Sequence, residues 1–488
     1  MKSIRIAFIS VLCLLGTLPL SAQPSNTIEG TVDLSALLQR HEGWGVSLCW
    51  WANMCGKWDE EKVDELVDWL VSPNGLNFNI FRYNIGGGED PLNRNCDLHH
   101  MGRGKGLRAE MEGFKDSTNG DYVWTRDLAQ RRIMLKIKQK RPDAIFEAFS
   151  NSCPYYMTYS GCVGGNDDPN KDNLRPEYYE EFAHYLVDVC KHYKDVYGIE
   201  FKTLDPFNEP MTDYWNRNGS QEGCHFDFES QIAFLRVLSP ILKASGLKTV
   251  ISASDETEVA TSAKGIKAYQ EAGVLDLVGQ WNVHTYKADN ESRKIVNQVA
   301  RGAGKMLWMS EVGAGGRGID GNLRLAQTLF DDERYIQPDA WIDWQYAAER
   351  DDQWCMIDCD FGKQTYRKVK HYSVRQQVSK FIKVGYTFVD TSLPSTLAAI
   401  SPDKKQLVLV ALNLSKEPQC YSINLLNGKT QPTKGQGYIT TRTQDVDPCD
   451  FQSENKRNLH FNMPAKSIMT IVVPVKTNNN PYNHKPHD

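Results

Sequence analysis

Lys202-Thr203-Leu204-Asp205-Pro206-Phe207-Asn208 is a short run with an apolar centre, and an amphipathic helical pattern, Phe228–Ala244, follows it. A run of this length bounded by turn residues reads as a buried strand. Working outward, the same strand-then-helix unit recurs in both directions. Strand candidates precede it at Trp44–Ala52, Phe78–Ile85 and Ala144–Ser150. Others follow at Lys248–Ser254, Leu277–Tyr286, Met306–Val312 and Trp341–Ala347. Helical patterns alternate with them at Glu60–Val71, Asp127–Lys140, Pro176–Tyr197, Ala263–Glu271, Arg293–Arg301, Leu323–Phe330 and Ser373–Ile382. Phe182, Tyr185, Leu186 and Val189 show the i, i+3, i+4, i+7 spacing of one helix face. Eight strands each followed by a helix is the count of a (β/α)8 barrel, spanning residues 42–382. A doubly wound open sheet would carry G-x-G-x-x-G after its first strand, and none is present.

After Ile382 the pattern changes. Gln406–Asn413, Gln419–Leu425, Gly437–Arg442 and Ser467–Val473 are short β-rich segments between turn residues. They predict an antiparallel β-sandwich over residues 383–475, joined by residues 23–41 from the other end of the chain. No spacer rich in Pro, Ser or Gly separates Ile382 from Tyr386, so the two parts are expected to pack as one unit. Residues 476–488, with Asn478-Asn479-Asn480-Pro481, read as a disordered tail. Residues 94–119 form a long polar insertion after the second strand.

Composition narrows the function classes. The 488 residues carry 56 Lys and Arg against 61 Asp and Glu, a net charge of −5, so nothing favours a phosphate backbone and nucleic acid is excluded as the main partner. A hydrophobic share of 41% excludes a collagen, a coiled coil or wholesale disorder. The 12 Trp and 21 Tyr suit stacking on sugar rings. Lys2 and Arg5, the apolar run Ile6–Leu20 and Ser21-Ala22-Gln23 read as a signal peptide over residues 1–22, too short for the ~20 residues of a spanning helix. The mature protein is therefore expected to be exported to the periplasm or beyond, with no membrane span, and to be a monomer. Twelve Cys, one of them in the signal, are too sparse for a disulfide scaffold; Cys49 with Cys55, Cys153 with Cys162, and Cys355 with Cys359 are candidate local pairs. No C-x2-C spacing occurs, and neither a metal nor an organic cofactor is expected.

Barrel enzymes place their catalytic groups at the C-terminal ends of strands. Two carboxylates stand there. Leu204-Asp205-Pro206-Phe207-Asn208-Glu209-Pro210 ends the fourth strand at Glu209, and Leu307-Trp308-Met309-Ser310-Glu311-Val312-Gly313 ends the seventh at Glu311. Paired carboxylates serve glycosidic cleavage, one protonating the leaving oxygen while the other attacks carbon or activates water. One such Glu alone is as readily a strand-end ion pair; two in matching settings favour chemistry. A carbohydrate-binding module or an interaction scaffold would need no such pair. Arg82 ends the second strand and could hold a carboxylate ionised. His284 and Tyr286 end the sixth strand, where Tyr286 could orient a carboxylate, and His284 is a functional or a core histidine. Asn151, near the third strand end, is a candidate for a hydroxyl contact, and Tyr155 and Tyr156 for subsite walls. Trp50 and Trp51 are adjacent on the expected first strand, so at most one of them faces the sugar and the other is core.

Asn208-Glu209-Pro210 with Ser310-Glu311 resembles the retaining barrel glycosidases. The motifs Gly43-Trp44-Gly45-Val46-Ser47-Leu48-Cys49-Trp50-Trp51-Ala52, Phe81-Arg82-Tyr83-Asn84-Ile85-Gly86-Gly87-Gly88 and Phe149-Ser150-Asn151-Ser152-Cys153-Pro154-Tyr155-Tyr156-Met157 narrow the resemblance to glycoside hydrolase family 30. The Trp-Trp-Ala form is similar to the endo-β-1,6-galactanase branch. The resemblance covers about residues 42–475, with one departure: Cys153-Pro154 stands where the family more often has Pro-Pro. It implies a retaining endo-hydrolase of β-1,6-linked galactan, with Glu209 as acid/base and Glu311 as nucleophile. It further implies that Asn208 donates to the sugar 2-OH and that Trp344 floors the subsite of the cleaved sugar. Other activities of the family, β-1,6-glucanase, glucosylceramidase and xylanase, share these motifs.

Overall fold

The computed structural model describes residues 27–90, 92, 111–313, 315–349, 353–430 and 435–477. The expected signal peptide, residues 94–110 of the insertion and the tail beyond 477 lie outside the described residues.

The chain begins with strand β1 (Thr27–Arg40) and then builds a closed barrel. Its strands are β2 (Gly43–Ser47), β3 (Ile80–Asn84), β4 (Ile145–Phe149), β5 (Thr203–Asp205), β6 (Val250–Glu258), β7 (Val278–Lys287), β8 (Met306–Val312) and β9 (Ala340–Asp343). Neighbours pair in parallel, and β9 closes on β2 with Trp44 opposite Trp341. The strands are continuous buried runs because both faces are covered, by barrel filling inside and by helices outside. Those helices are α1 (Trp51–Cys55), α2 (Glu60–Val71), α3 (Leu128–Lys140), α4 (Tyr179–Tyr197), α5 (Phe228–Ala244), α6 (Val259–Glu271), α7 (Asn290–Gly302), α8 (Gly318–Tyr335) and α9 (Lys370–Ser379). In α4 the stripe Phe182, Tyr185, Leu186 and Val189 is buried, as its spacing requires. Asp227 caps α5 and Asp289 caps α7, each side chain accepting from the N–H of a serine three residues on.

Several strand ends depart from the sequence reading: the fourth strand, expected to end at Glu209, stops at Asp205, and the fifth runs on to Glu258. The first strand stops at Ser47, and Trp51 and Ala52 begin α1, where the Trp51 indole donates to the Ser47 carbonyl. An unbroken apolar run hid this change of direction, and the two-face argument for Trp50 and Trp51 fails with it. The eighth strand stops at Asp343, so Trp344 lies on the loop beyond it. A three-stranded sheet that the sequence reading lacked, β10 (Ala347–Glu349), β11 (Ile357–Asp360) and β12 (Thr365–Lys368), then rises beside the barrel mouth.

The second region is one 11-stranded sheet rather than a purely antiparallel array: β1 runs antiparallel to Thr387–Thr391 but parallel to Gln419–Leu426. Its inner face shares the barrel's hydrophobic core through Leu397, Ala399, Val408, Val410, Leu412 and Ile468. Polar ties add to this contact. Arg334 of α8 donates to the Thr391 and Leu393 carbonyls, and Gln377 of α9 bonds Thr440 and Thr470.

The candidate local disulfides are absent: Cys49, Cys55, Cys153 and Cys359 are thiols, and only Cys162 among the described residues is disulfide-bonded. Among the described residues no helix is long and apolar enough to cross a membrane.

Candidate active site

Strands β5 and β8 deliver the two carboxylates to the same end of the barrel. Glu311 is the penultimate residue of β8. Glu209 lies four residues beyond β5, in the left-handed region at φ 49, with its N–H on the Asp255 carbonyl. That constrained conformation turns its side chain inward. An oxygen of Glu209, an oxygen of Glu311 and a ring nitrogen of His284 lie within 4.8 Å of one another.

Each carboxylate oxygen faces a donor. Glu209 Oε1 is 3.2 Å from His284 Nδ1, and its Oε2 accepts from the Tyr214 hydroxyl. Glu311 Oε1 accepts from Tyr286 at 3.0 Å and its Oε2 from Arg82 at 3.0 Å. These three acid and imidazole groups could supply ligands to a cation, but one would have to displace donors already in place on all four oxygens.

Beneath the pair lies a fully buried ionic layer. Arg82 sends Nε to Glu147 at 2.8 Å, one terminal nitrogen to Glu311 and the other to Asp255, while its plane lies over the Phe149 ring. Burial opposes its charge, but Asp255, Glu147 and Glu311 outweigh that cost and raise its pKa. Burial likewise opposes charge on His284; Glu311 and Asp255 overcome it and lift its pKa to about 10, so the ring is an imidazolium at neutral pH. Asp255, desolvated but facing both cations, is held below the usual carboxylate range. Burial pushes Glu311 up to about 7 against the pull of His284 and Arg82, with Glu209 adding to the rise. Glu147 is held from four further directions, by Thr203, Ser252, Gln280 and Asn282. A network this densely bonded around Arg82 and Glu147 fixes the site's geometry before any substrate arrives.

Above the pair opens a cavity of about 760 Å³. Trp50, Trp51, Asn208, Tyr286 and Trp344 border it, together with Glu209 and Glu311. The Trp50 and Trp344 rings meet edge to face at 5.0 Å. The Trp51 ring is fully buried and packs on Tyr346. Asn208 Oδ1 is buried without a hydrogen-bond partner among the described residues. Arg82 and His284 act from below the cavity floor. Asn151 does not border the cavity; its amide nitrogen lies 3.6 Å from Cys49 Sγ. Tyr155 and Tyr156 border a separate groove instead.

The sequence reading missed Glu147 and Asp255, whose side chains matter only once the barrel closes, and the wall residues Tyr214, Trp215, Gln221, Trp354 and Phe361, which lie on loops. Asp255 carried one signal: three acids in four residues, Asp255-Glu256-Thr257-Glu258, at a strand end.

The family model for O-glycosyl hydrolase family 30 matches residues 27–271. The endo-β-1,6-galactanase of Hypocrea rufa is 30% identical over 425 residues, covering 83% of this chain and 85% of that protein. The exo-β-1,6-galactobiohydrolase of Bifidobacterium longum is 25% identical over 404 residues, 63% of this chain and 26% of that protein. Among solved structures, the catalytic domain of a family 30 xylanase from Talaromyces cellulolyticus shares the fold with a TM-score of 0.72 at 17% identity, covering 91% of this chain and 99% of that one. With half its length matched by the family model and most of it aligned to a relative at 30% identity, the chain belongs to glycoside hydrolase family 30.

Proposed function

We propose that the protein is a retaining endo-hydrolase of β-1,6-linked galactan, exported after cleavage near Ala22 and acting as a monomer. The observation that carries the retaining reading is the closeness of the carboxylates, within 4.8 Å oxygen to oxygen. Retaining pairs lie ~5–5.5 Å apart, whereas inverting pairs need ~6.5–9.5 Å to admit a water. In the first step a Glu311 oxygen attacks the anomeric carbon while Glu209 gives its proton to the departing glycosidic oxygen. A glycosyl ester on Glu311 results. In the second step Glu209, now a carboxylate, takes a proton from water, and that water's oxygen displaces Glu311 from the anomeric carbon.

Each supporting group has a stated task. Tyr286 and Arg82 aim Glu311 and favour its charged form. The His284 imidazolium and Tyr214 hold Glu209. Asn208 offers its amide to the sugar 2-OH at the cavity wall, and Trp344 supports the ring of the cleaved sugar. The galactan assignment draws on the relative from Hypocrea rufa, whose name states that linkage. The test is a product screen of the purified protein on β-1,6-galactan, β-1,6-glucan, xylan and a glucosyl lipid, with the anomer of the first product read by proton NMR. Short β-1,6-galacto-oligosaccharides released as the β-anomer are expected. Release of the α-anomer, or cleavage confined to another polymer, would overturn the reaction or the substrate respectively.

A further inference from the structure

The reaction uses the centre of the cavity and leaves one wall without a task. In an eight-stranded barrel the fourth and eighth strands stand across from each other, so the segment after β9 faces the Glu209 loop after β5. That far wall is built from Gln345, Ala348, Glu349, Trp354 and Phe361, on and around the three-stranded sheet. Since Glu209 protonates the leaving oxygen, the leaving portion of the chain lies on the Glu209 side. The sugars preceding the cleaved one then run toward the opposite wall.

Trp354 is the large aromatic group there, half-buried between β10 and β11. The six-membered ring of its indole packs on the loop that follows Glu311. A Cβ added at Gly313 would fall 2.6 Å from the ring, and one at Gly315 would fall 3.4 Å from it, with Gly315 at φ +57. Two residues after Glu311, the backbone is bare where the six-membered ring of the indole packs against it. The ring also stands 6.3 Å from Tyr286, which bonds Glu311. Phe361, packed against Trp58, anchors the sheet that carries the indole. A braced indole at a cavity wall is a platform for the C–H face of a pyranose.

We propose that Trp354 is the stacking platform for the sugar that precedes the cleaved one, and so the residue through which the site prefers a chain over a single terminal sugar. This rests on the proposed assignment of Glu209 as the proton donor. The test compares kcat/KM for an aryl β-galactoside with that for the aryl glycoside of β-1,6-galactobiose, in wild type, Trp354→Ala and Trp354→Phe. The same pair in gluco configuration is run in parallel. Wild type is expected to prefer the disaccharide, with that preference falling about tenfold in Trp354→Ala and partly restored in Trp354→Phe. If only the gluco pair is cleaved, the galactan reading fails and the Trp354 ratio is read on that pair. A ratio unchanged by Trp354→Ala, or an equal loss on both substrates, would overturn the platform whichever sugar is cleaved.

Discussion

Replacing Arg82 by lysine keeps a positive charge and removes the fork. The guanidinium reaches Glu147 on β4, Asp255 on β6 and Glu311 on β8, tying three strands of the barrel together in a fully buried layer. An ammonium is a single point of charge and satisfies one of these acids well. Losing two charge-assisted bonds at ~1.5–3 kcal/mol each gives ~3–6 kcal/mol, with the upper end favoured because the abandoned carboxylates stay buried. Against a total stability of ~5–15 kcal/mol that is a large fraction. Urea unfolding of Arg82→Lys should therefore show a midpoint well below wild type at an unchanged slope. Catalysis should fall as well, by about 100-fold in kcat/KM, or ~2.7 kcal/mol, because Glu311 loses the donor that aims and charges it. A variant within ~1 kcal/mol of wild type in stability and within about threefold in kcat/KM would refute the idea that the fork organises the site.

Glu311→Gln should cost on the order of 10⁴-fold in turnover whatever the leaving group. Glu209→Gln should keep the first step on an aryl glycoside and regain turnover with added azide; equal, unrescued losses in both variants would mean that the roles are misassigned. The rise of Glu311 to about 7 predicts an acid limb of kcat/KM near that pH, because the attacking carboxylate must be ionised; a profile flat down to pH 5 would contradict it. For stability the sign follows from proton uptake. His284 is raised from 6.5 to about 10, so the folded state holds its proton more tightly, and the contribution is whole below pH 6.5 and lost as pH climbs to about 10. The unfolding midpoint should fall across that window in wild type and fall less in His284→Asn, as read by urea titration at each pH. Ending the chain at about Gly385 strips Leu397, Val408, Val410 and Ile468 from the shared core, so the truncated barrel should be insoluble; a soluble, fully active fragment would show the second region to be an appendage.

The barrel was legible because its signal is periodic and repeated. Eight apolar runs alternating with helical stripes carry more information than any single boundary, and Glu60–Val71, Phe228–Ala244 and Met306–Val312 keep their expected bounds. The errors fall where an apolar run outlasts its strand. Leu48 to Trp51 continue the hydrophobicity of β2, yet the chain turns there, and nothing local distinguishes a buried turn from a buried strand. The small sheet went unseen because its strands are three or four residues long, and in β12 they are mostly exposed, too short to show an alternation. The parallel pairing of β1 with Gln419–Leu426 joins segments nearly 400 residues apart, which only tertiary packing decides.

The site divides along the same line. Glu209, Glu311 and Arg82 could be named because each lies in or just after an apolar run that reads as a strand, although Arg82 falls in the middle of β3 and Glu209 four residues beyond β5. Asp255 could not: strict alternation along β6 would place it opposite Ser254 and Glu256, but the register shifts there, and Asp255, at φ 54, turns toward Arg82 and His284. That irregularity sets Asp255 where, with Glu311, it favours the charged form of His284, and the charge has a use in the proposed reaction. When Glu311 becomes an ester and Glu209 loses its proton, one negative charge moves from the first carboxylate to the second. His284 Nδ1 lies 3.8 Å from the Glu311 oxygen and 3.2 Å from the Glu209 oxygen, close to both ends of that transfer. A cation fixed between the two positions stabilises the charge before and after the step without moving, and Asp255 holds the imidazolium from its far side at 3.4 Å. The bulge in β6 thus places, through His284, a preorganised charge beside both carboxylates.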